Sequence, residues 1–436
     1  MKIAIVGSGI SGLAVAHTLR GQADITLLEA GDYFGGHTNT VDITLDGPDG
    51  PVTHGVDTGF LVFNERTYPQ LIRLLAELEV PTAHSEMSFS VQVPGARKGS
   101  PLEWSGSSLN TVFAQRGNLL NPRFFRMLRD VLRFNQLATA MAEQGTEAAL
   151  MQPLADFLQQ HALSNEFRDW YFLPMLGCIW SCPTDQMLQF PVATMIRFCH
   201  NHGLLQVTNR PLWWTVTGGA RQYVEKIVAQ ITDKRLRSPV QRITRNAAGV
   251  LLQVNGQTER FDKVVLASHS DQSLALLGDA SPAEVDALSA IRYQANRAVL
   301  HTDTSVLPRQ PRAWAAWNYA RSPTNASSPA ASQVCLHYLI NLLQPLPFTQ
   351  PVLVSLNPLH AIDPRQVHGT FDYAHPVFDQ AAIQAQSRIP SLQGRQHTYF
   401  CGAWTGYGFH EDGLKSGLDV AARLQALLAQ PTAATP

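Results

Sequence analysis

An apolar run, Ile3-Ala4-Ile5-Val6, passes without a break into Gly7-Ser8-Gly9-Ile10-Ser11-Gly12. This strand followed by Gly-x-Gly-x-x-Gly constrains the fold more than any other stretch. Each glycine meets a separate steric demand of a βαβ unit that holds an adenine dinucleotide. Gly7 permits the tight turn out of the strand, Gly9 lets a pyrophosphate reach the backbone, and Gly12 lets the next helix pack close to the sheet. The helix, predicted over Leu13 to Arg20, turns its unpaired N–H groups and positive dipole end toward the phosphates, with Ile10 and Ser11 at the turn. A second apolar run, Ile25 to Leu28, ends at Glu29, where a carboxylate binds ribose hydroxyls. Strand, helix, strand and acid occur in the required order, which predicts a dinucleotide fold without choosing the dinucleotide.

A chain of 436 residues predicts two domains. Hydrophobic residues make up 45% and charged residues 15%, a balance that fits a globular enzyme and argues against disorder. The net charge of −1 creates no field favouring nucleic acid, and no nucleic-acid partner is expected. The N-terminal run reads as a strand and not a signal peptide, because its glycines serve the turn and no small-residue cleavage site follows. No apolar stretch approaches the roughly 18 residues of a membrane span. The five cysteines, Cys178, Cys182, Cys199, Cys335 and Cys401, are odd in number and scattered. That pattern predicts reduced thiols and a cytoplasmic location. Cys178 and Cys182 lack further partners at ligand spacing, so they read as small buried hydrophobes and no metal site is expected.

Along the chain, Gly35-Gly36-His37-Thr38-Asn39-Thr40 forms a glycine loop after the second strand, and Asp57-Thr58-Gly59-Phe60-Leu61 a strand and turn. Residues 85–205 change to helical patterns with aromatic and proline interruptions. In the helix predicted at 122–140, Arg123, Arg126, Arg129 and Arg133 lie along one face, and Phe124, Phe125, Leu128, Val131 and Leu132 largely on another. This basic amphipathic helix either packs with its arginines in water or docks on anionic lipid headgroups, so peripheral contact with the inner membrane face is a second expectation. Strand patterns return at 205–275, including Val240 to Ile243 and Val264 to Ala267. Polar and aromatic strands fill 290–375, at 298–301, 313–319, 334–342 and 352–356, as in a sheet with one face on a cavity. A strand at Tyr399 to Trp404 leads through a turn, 405–413, into a helix at 414–429 and a loose tail at 431–436. The alternating textures predict discontinuous domains. A dinucleotide-binding domain takes 1–85, 205–275 and 395–430, and a substrate-binding domain 86–204 and 276–394.

Gly7, Gly9, Gly12, Glu29, Gly35-Gly36, Asp57-x-Gly59, Gly218-Gly219, Val240 and the run from Gly402 to Gly413 occur in an order that resembles the flavin-dependent amine oxidase and phytoene-desaturase superfamily. The resemblance implies an α/β fold of amine-oxidase-like two-domain architecture. A Rossmann-like FAD-binding domain joins a discontinuous substrate domain of mixed sheet plus helices. It implies noncovalent FAD, with the ADP half on Gly7, Gly9, Ile10, Ser11, Gly12 and Glu29. The diphosphate would meet Gly36, His37 and Thr38, and Gly59, Phe60, Leu61 and Val240 would line the cofactor. Gly402, Asp412, Gly413 and Leu414 would approach the diphosphate, ribityl chain and ring. The phrases at 35–40 and 408–417 are further similar to predicted NAD/FAD-binding bacterial proteins, which resemble the N-terminal part of plant cyclopropane fatty-acid synthases.

Three residues are candidates for chemistry. His410 sits where the superfamily meets the isoalloxazine, and an imidazole suits proton transfer. Tyr407 could flank the ring. By rough strand register Arg297 takes the place of a lysine near flavin N5, where it would be a fixed cation. Asp412 reads as a helix N-cap or ribityl contact. His375 reads as lining the site or as a turn residue before proline, and Trp180, Trp213 and Trp214 as tunnel or core. No second glycine fingerprint appears, so electrons are expected from the substrate, as hydride to N5, leaving to oxygen or another carrier. The resemblance points to a dehydrogenase acting on an apolar, fatty acyl substrate, either free or carried on a phospholipid. An amine oxidase, a flavin-bearing accessory protein of a lipid-modifying enzyme and a flavin-dependent isomerase remain alternatives.

Overall fold

The computed structural model describes residues 1–97, 100–144, 151–180, 184–206, 210–321 and 334–430. The expected tail at 431–436 and Cys182 lie outside these residues. Strand β1 (Lys2–Val6), helix α1 (Ile10–Leu19) and strand β2 (Asp24–Leu28) form the opening βαβ unit. A five-stranded parallel sheet runs in the order Asp233–Arg235, β2, β1, Lys263–Leu266, Thr398–Phe400, drawn from three distant stretches of chain. Its strands are apolar on both sides because both faces are covered. Ile3, Ile5, Leu27 and Val265 pack with α1 and the C-terminal helix, His410–Leu428. Ala4, Val264 and Leu266 pack with an antiparallel sheet spanning Val240–Phe261.

The two helices cross at unusually close range. A Cβ on Gly417 would lie 2.3 Å from the Ser11 carbonyl oxygen, and a Cβ on Gly12 would lie 2.0 Å from that of Gly7. The first turns of the last helix therefore pack on the first turn of α1. The C-terminal helix begins at His410, one turn before its expected start.

The second layer is a seven-stranded mixed sheet, in the order Val367–Val377, Arg292–His301, Leu353–Leu356, Cys335–Leu339, Trp317–Ala320, Phe89–Arg97, Ser100–Ser105. The pair Trp317–Ala320 and Phe89–Arg97 is parallel. The strand expected at 313–319 starts late because Pro311–Ala313 forms a 3₁₀ turn, and the strand expected at 334–342 gives way to a short helix at Ile340–Leu343. Helices Pro122–Gln144, Leu173–Trp180 and Val192–Asn201 share a core with this sheet, through Phe124, Phe134, Leu176, Met195, Leu336 and Val354. On Pro122–Gln144 the buried residues are Phe124, Met127, Asp130, Phe134 and Ala138. Their spacing follows the helical repeat and turns Phe125 and Leu132 outward, so the apolar face expected to include both is divided between core and surface. The architecture is the expected α/β pairing of a Rossmann-like parallel sheet with a mixed sheet plus helices. Among the described residues no helix is long and apolar enough to cross a membrane.

Replacing Gly417 with alanine tests the helix crossing. Overpacking against the Ser11 carbonyl should cost about 1–3 kcal/mol and lower the melting temperature in a thermal unfolding scan. An unchanged melting curve would mean that the helices do not meet as described.

Candidate active site

A cavity of about 1370 Å3 opens at the carboxyl ends of the parallel strands and continues beneath the seven-stranded sheet. This is where ligands enter open α/β sheets. Of the sequence-predicted residues, Gly7, Gly9, Ile10, Ser11, Glu29, Gly36, His37, Gly59, Phe60, Leu61, Val240, Gly402 and His410 line it. Gly12, Thr38, Asp412, Gly413 and Leu414 stand behind the wall. Gly413 packs on Ile10 and Ser11, where a Cβ would come within 2.8 Å of the Ile10 side chain.

The strand-end residues have the chemistry of an adenine dinucleotide site. The N-cap of α1 is Gly9, with no side chain bonding the first-turn N–H groups. A Cβ on Gly9 would meet nothing within 4 Å, so the space in front of these donors is open. One Glu29 oxygen accepts from the Ser8 amide (2.9 Å) and hydroxyl (2.5 Å), and the other from the Gly31 amide (2.9 Å). These bonds fix the carboxylate and leave lone pairs for ribose hydroxyls. Opposite, the Gly35-Gly36 loop crosses close to Gly9, and the Phe60 amide donates to the His37 carbonyl at 2.8 Å. Nε2 of His37 is buried without a hydrogen-bond partner. A buried ring nitrogen without a partner, on the glycine loop that crosses close to Gly9, suits a phosphate oxygen.

Around His37 lie further imidazoles. Its ring stacks on Tyr373 at 5.0 Å and lies 5.4 Å from His375 and 6.1 Å from His269. Tyr373 is anchored by Thr58 (2.8 Å) and Asn39 (3.1 Å), His375 by Asn296 (2.8 Å), and His269 stacks on Tyr293. Burial, reinforced by His375, His269 and His410, holds His37 well below the usual imidazole range. Burial and His269 push His375 down to about 4, and burial alone pushes His410 to about 3. The protein by itself therefore presents neutral rings to the cavity.

His410 is fixed from two sides. Its ring stacks on Phe60 at 3.9 Å, and Nε2 lies 2.8 Å from the Tyr223 hydroxyl, which in turn bonds Thr38 at 2.5 Å. Thr38 thus acts behind the wall, through Tyr223. Asp412 is not the N-cap; it sits in the third helical position and accepts from the amides of Phe409 (3.0 Å) and Tyr407 (3.1 Å). This is the returning half of a capping box, and it sets the turn that aims Phe409 and His410 in opposite directions. Phe409 stacks on Phe198 at 4.7 Å, in a cluster with Trp180 and His202.

The remaining predictions divide. Tyr407 is half-buried and Arg297 is exposed, and neither lines the cavity. Strand alternation places Arg297 on the face of Tyr293 and Ala295, which do line it, but one step further along, where Asn357 bonds its backbone. Rough register found the correct face and missed the position. Trp213 and His375 line the cavity; Trp180 and Trp214 do not, and Trp214 stacks on His84. Among the described residues no group of His, Cys, Asp or Glu could hold a metal ion.

Sequence reasoning missed His202. It lines the apolar end and stacks on Phe198 at 3.8 Å, and its Nδ1 lies 3.0 Å from the Phe198 carbonyl. A carbonyl only accepts, so Nδ1 carries the proton and Nε2 the lone pair. Burial lowers its pKa to about 4, which keeps it neutral. No local motif marks this residue, because its surroundings come from three separate segments.

Fold and cavity together fit a dinucleotide-dependent enzyme whose one cavity runs from the parallel strand ends into an apolar chamber. The model of the flavin containing amine oxidoreductase family matches residues 10–425, and the chain belongs to that family. It is accordingly a flavin-dependent oxidoreductase. Comparison with curated proteins found no match. Three solved structures illustrate the shared fold, each 17% identical to this chain. A CLA-producing fatty acid isomerase from P. acnes has a TM-score of 0.65, with 97% of this chain and 98% of that chain covered. Cyclohexylamine oxidase from Brevibacterium oxydans IH-35A and wild-type putrescine oxidase bound to putrescine each have a TM-score of 0.67, with 98% and 99% covered.

The unpaired His37 nitrogen generates a pH prediction. A bound diphosphate would raise the His37 pKa above its value in the free protein, so binding would take up protons. FAD affinity should therefore tighten as pH falls through the pKa His37 has in the complex, and the gain should be lost as pH rises back through it. Calorimetric titration of apoprotein should show this slope, and His37→Asn should flatten it. A flat wild-type profile would remove His37 from phosphate binding.

Proposed function

We propose that this enzyme dehydrogenates an apolar acyl chain, free or carried on a phospholipid, using noncovalently held FAD. The carrying observation is the makeup of the chamber beyond Phe409. Met175, Ile179, Phe198, Leu204, Trp317 and Leu356 are among its walls. Of the carboxylates in the described lining, Glu29 stands at the ribose end, and Glu86 and Asp372 are exposed. A cationic substrate drawn into this chamber would lose its hydration without gaining a buried counter-charge, whereas an alkyl chain gains from burial. The resemblance of residues 35–40 and 408–417 to bacterial proteins similar to the N-terminal part of plant cyclopropane fatty-acid synthases supports the same reading.

When bound, the flavin supplies a two-electron acceptor for hydride at N5. The chain's own residues hold and shield. Glu29, the first turn of α1 and His37 would bind the ADP half. His410, locked by Tyr223 and Phe60, orders the junction between cofactor and substrate spaces. Phe198 and Phe409 exclude water and orient the chain. His202, neutral with its lone pair on Nε2, is placed to take the second hydrogen as the one proton released. Cys401 does not line the cavity, and burial pushes its thiol up to about 12, which supports noncovalent attachment.

Amine oxidation is the second reading, favoured by the family name and by the aromatic residues Trp213, Trp317 and Tyr338 in the wall. Anaerobic mixing of purified holoprotein with saturated and unsaturated acyl substrates, and separately with alkyl amines, separates the two. The flavin absorbance should bleach with the acyl compounds and stay oxidised with the amines; the reverse result overturns the proposal. In the same assay His202→Gln should slow bleaching about 100-fold or more while leaving the flavin spectrum unchanged.

A further inference from the structure

The outer face of helix Pro122–Gln144 and the two turns before it carry apolar side chains that the fold leaves uncovered. Leu109 is 79% exposed, Leu119 50%, Leu120 90%, Phe125 47% and Leu132 57%. Exposed leucines scattered singly need no explanation, but these are joined into one region. Phe125 and Leu132 are seven residues apart and share a helix face. Phe125 meets Phe113 at 5.9 Å, and Arg116 ties the Leu119–Leu120 turn back to the carbonyls of Asn110 (3.3 Å) and Phe113 (2.9 Å).

Arginines border the same region. Arg123 and Arg126 share one buried carboxylate, Glu166, at 2.7 and 3.6 Å. Arg129 and Arg133 share another, Asp130, at 3.2 and 3.3 Å. Four guanidinium groups thus meet two carboxylates, and the outer surface keeps a positive excess. Burying one carboxylate beneath two exposed cations holds the arginines in place beside the leucines. The Asn110 and Phe113 groups bonded to Arg116 are uncharged, which adds to the excess.

The cavity reaches the surface next to this region. Gly106 and Ser107 both line it and are exposed, and Leu109 follows two residues later.

We propose that Leu109, Leu119, Leu120, Phe125 and Leu132, with Arg116, Arg123, Arg126, Arg129 and Arg133, form a docking face for an anionic lipid bilayer. The leucines and Phe125 enter the boundary between headgroups and acyl chains, and the guanidinium groups bind the phosphates above. Charge selects this occupant. A second copy docking the same face about a two-fold axis would bring five arginines against five arginines. A neutral apolar partner would leave them uncompensated, whereas an anionic bilayer supplies both charge and hydrocarbon. The continuity of this face with the cavity mouth rests on no choice of substrate, and docking is measured without turnover, so failure of the acyl-chain reading leaves it standing.

Cosedimentation of the holoenzyme with vesicles provides the test. Vesicles of phosphatidylcholine with about one third phosphatidylglycerol should bind it, and phosphatidylcholine alone should bind it at least about fivefold more weakly. Leu120→Asp and Leu109→Asp change side chains that are almost wholly in water, so folding and the flavin spectrum should be unaffected while vesicle binding falls about tenfold or more. Arg126→Gln and Arg129→Gln each leave one arginine on the buried carboxylate and should lower binding about fivefold. Equal binding to both vesicle types, no binding at low salt, or binding untouched by the Leu→Asp changes would overturn the proposal. So would a dimer in sedimentation velocity that Leu120→Asp dissociates.

Discussion

Three segments come within contact distance of the first turn of α1, and the cofactor end of the cavity exists because they can. The carbonyl of Gly7 lies where a side chain at Gly12 would begin, the C-terminal helix rests Gly417 on the Ser11 carbonyl, and the Gly36 loop passes over Gly9. Backbones this close leave no room for a side chain at Gly12, Gly417 or Gly36. They bring residues from both ends of the chain to one helix N-terminus, whose N–H groups stay uncapped. The first turn of α1 thereby becomes a place where anion binding, the fit of the last helix and the aim of His410 are settled by the same packing.

From that anchor the chemistry is graded along the cavity. Near α1 the walls offer N–H groups, a fixed carboxylate and the neutral imidazoles of His37, His269 and His375. Past the Phe409–His410 turn they become aromatic and aliphatic. The capping contacts of Asp412 hold this turn, and with it the boundary between the polar and the dry parts of the cavity. A dry chamber suits transfer of hydride, because water near the reacting carbon would solvate charge that the walls otherwise confine. Among the described residues lining the cavity, His202, neutral and fixed by the Phe198 carbonyl, is the imidazole on the dry side of that boundary.

What the sequence disclosed follows from how local each signal is. Gly7 to Gly12 and Glu29 belong to one βαβ unit, so their spacing alone was enough to predict that unit. The turn at 402–413 could be matched to a cofactor contact, but not resolved: its helix starts at His410, and Asp412 caps it from inside. Arg297 was assigned by counting along a strand, and a strand's alternation fixes the face but not the distance to a cavity. On Pro122–Gln144 the hydrophobic count was right and the face was not, because Phe125 and Leu132 lie off the stripe formed by Phe124, Met127, Phe134 and Ala138. His202 needed tertiary structure altogether, since Phe198, Phe409 and Trp213 reach it from different elements.

The central claim is that one continuous cavity holds the flavin dinucleotide with its ADP half at α1 and its reactive ring at the Phe409–His410 turn. A crystal structure of the FAD-loaded enzyme measures this most directly. The account predicts diphosphate oxygens within hydrogen-bonding reach of the first-turn amides of α1 and of His37 Nε2, with the ring facing the chamber that contains His202. A diphosphate bound away from α1, or a ring directed toward the exposed Ala295–Asp372 side, would contradict it.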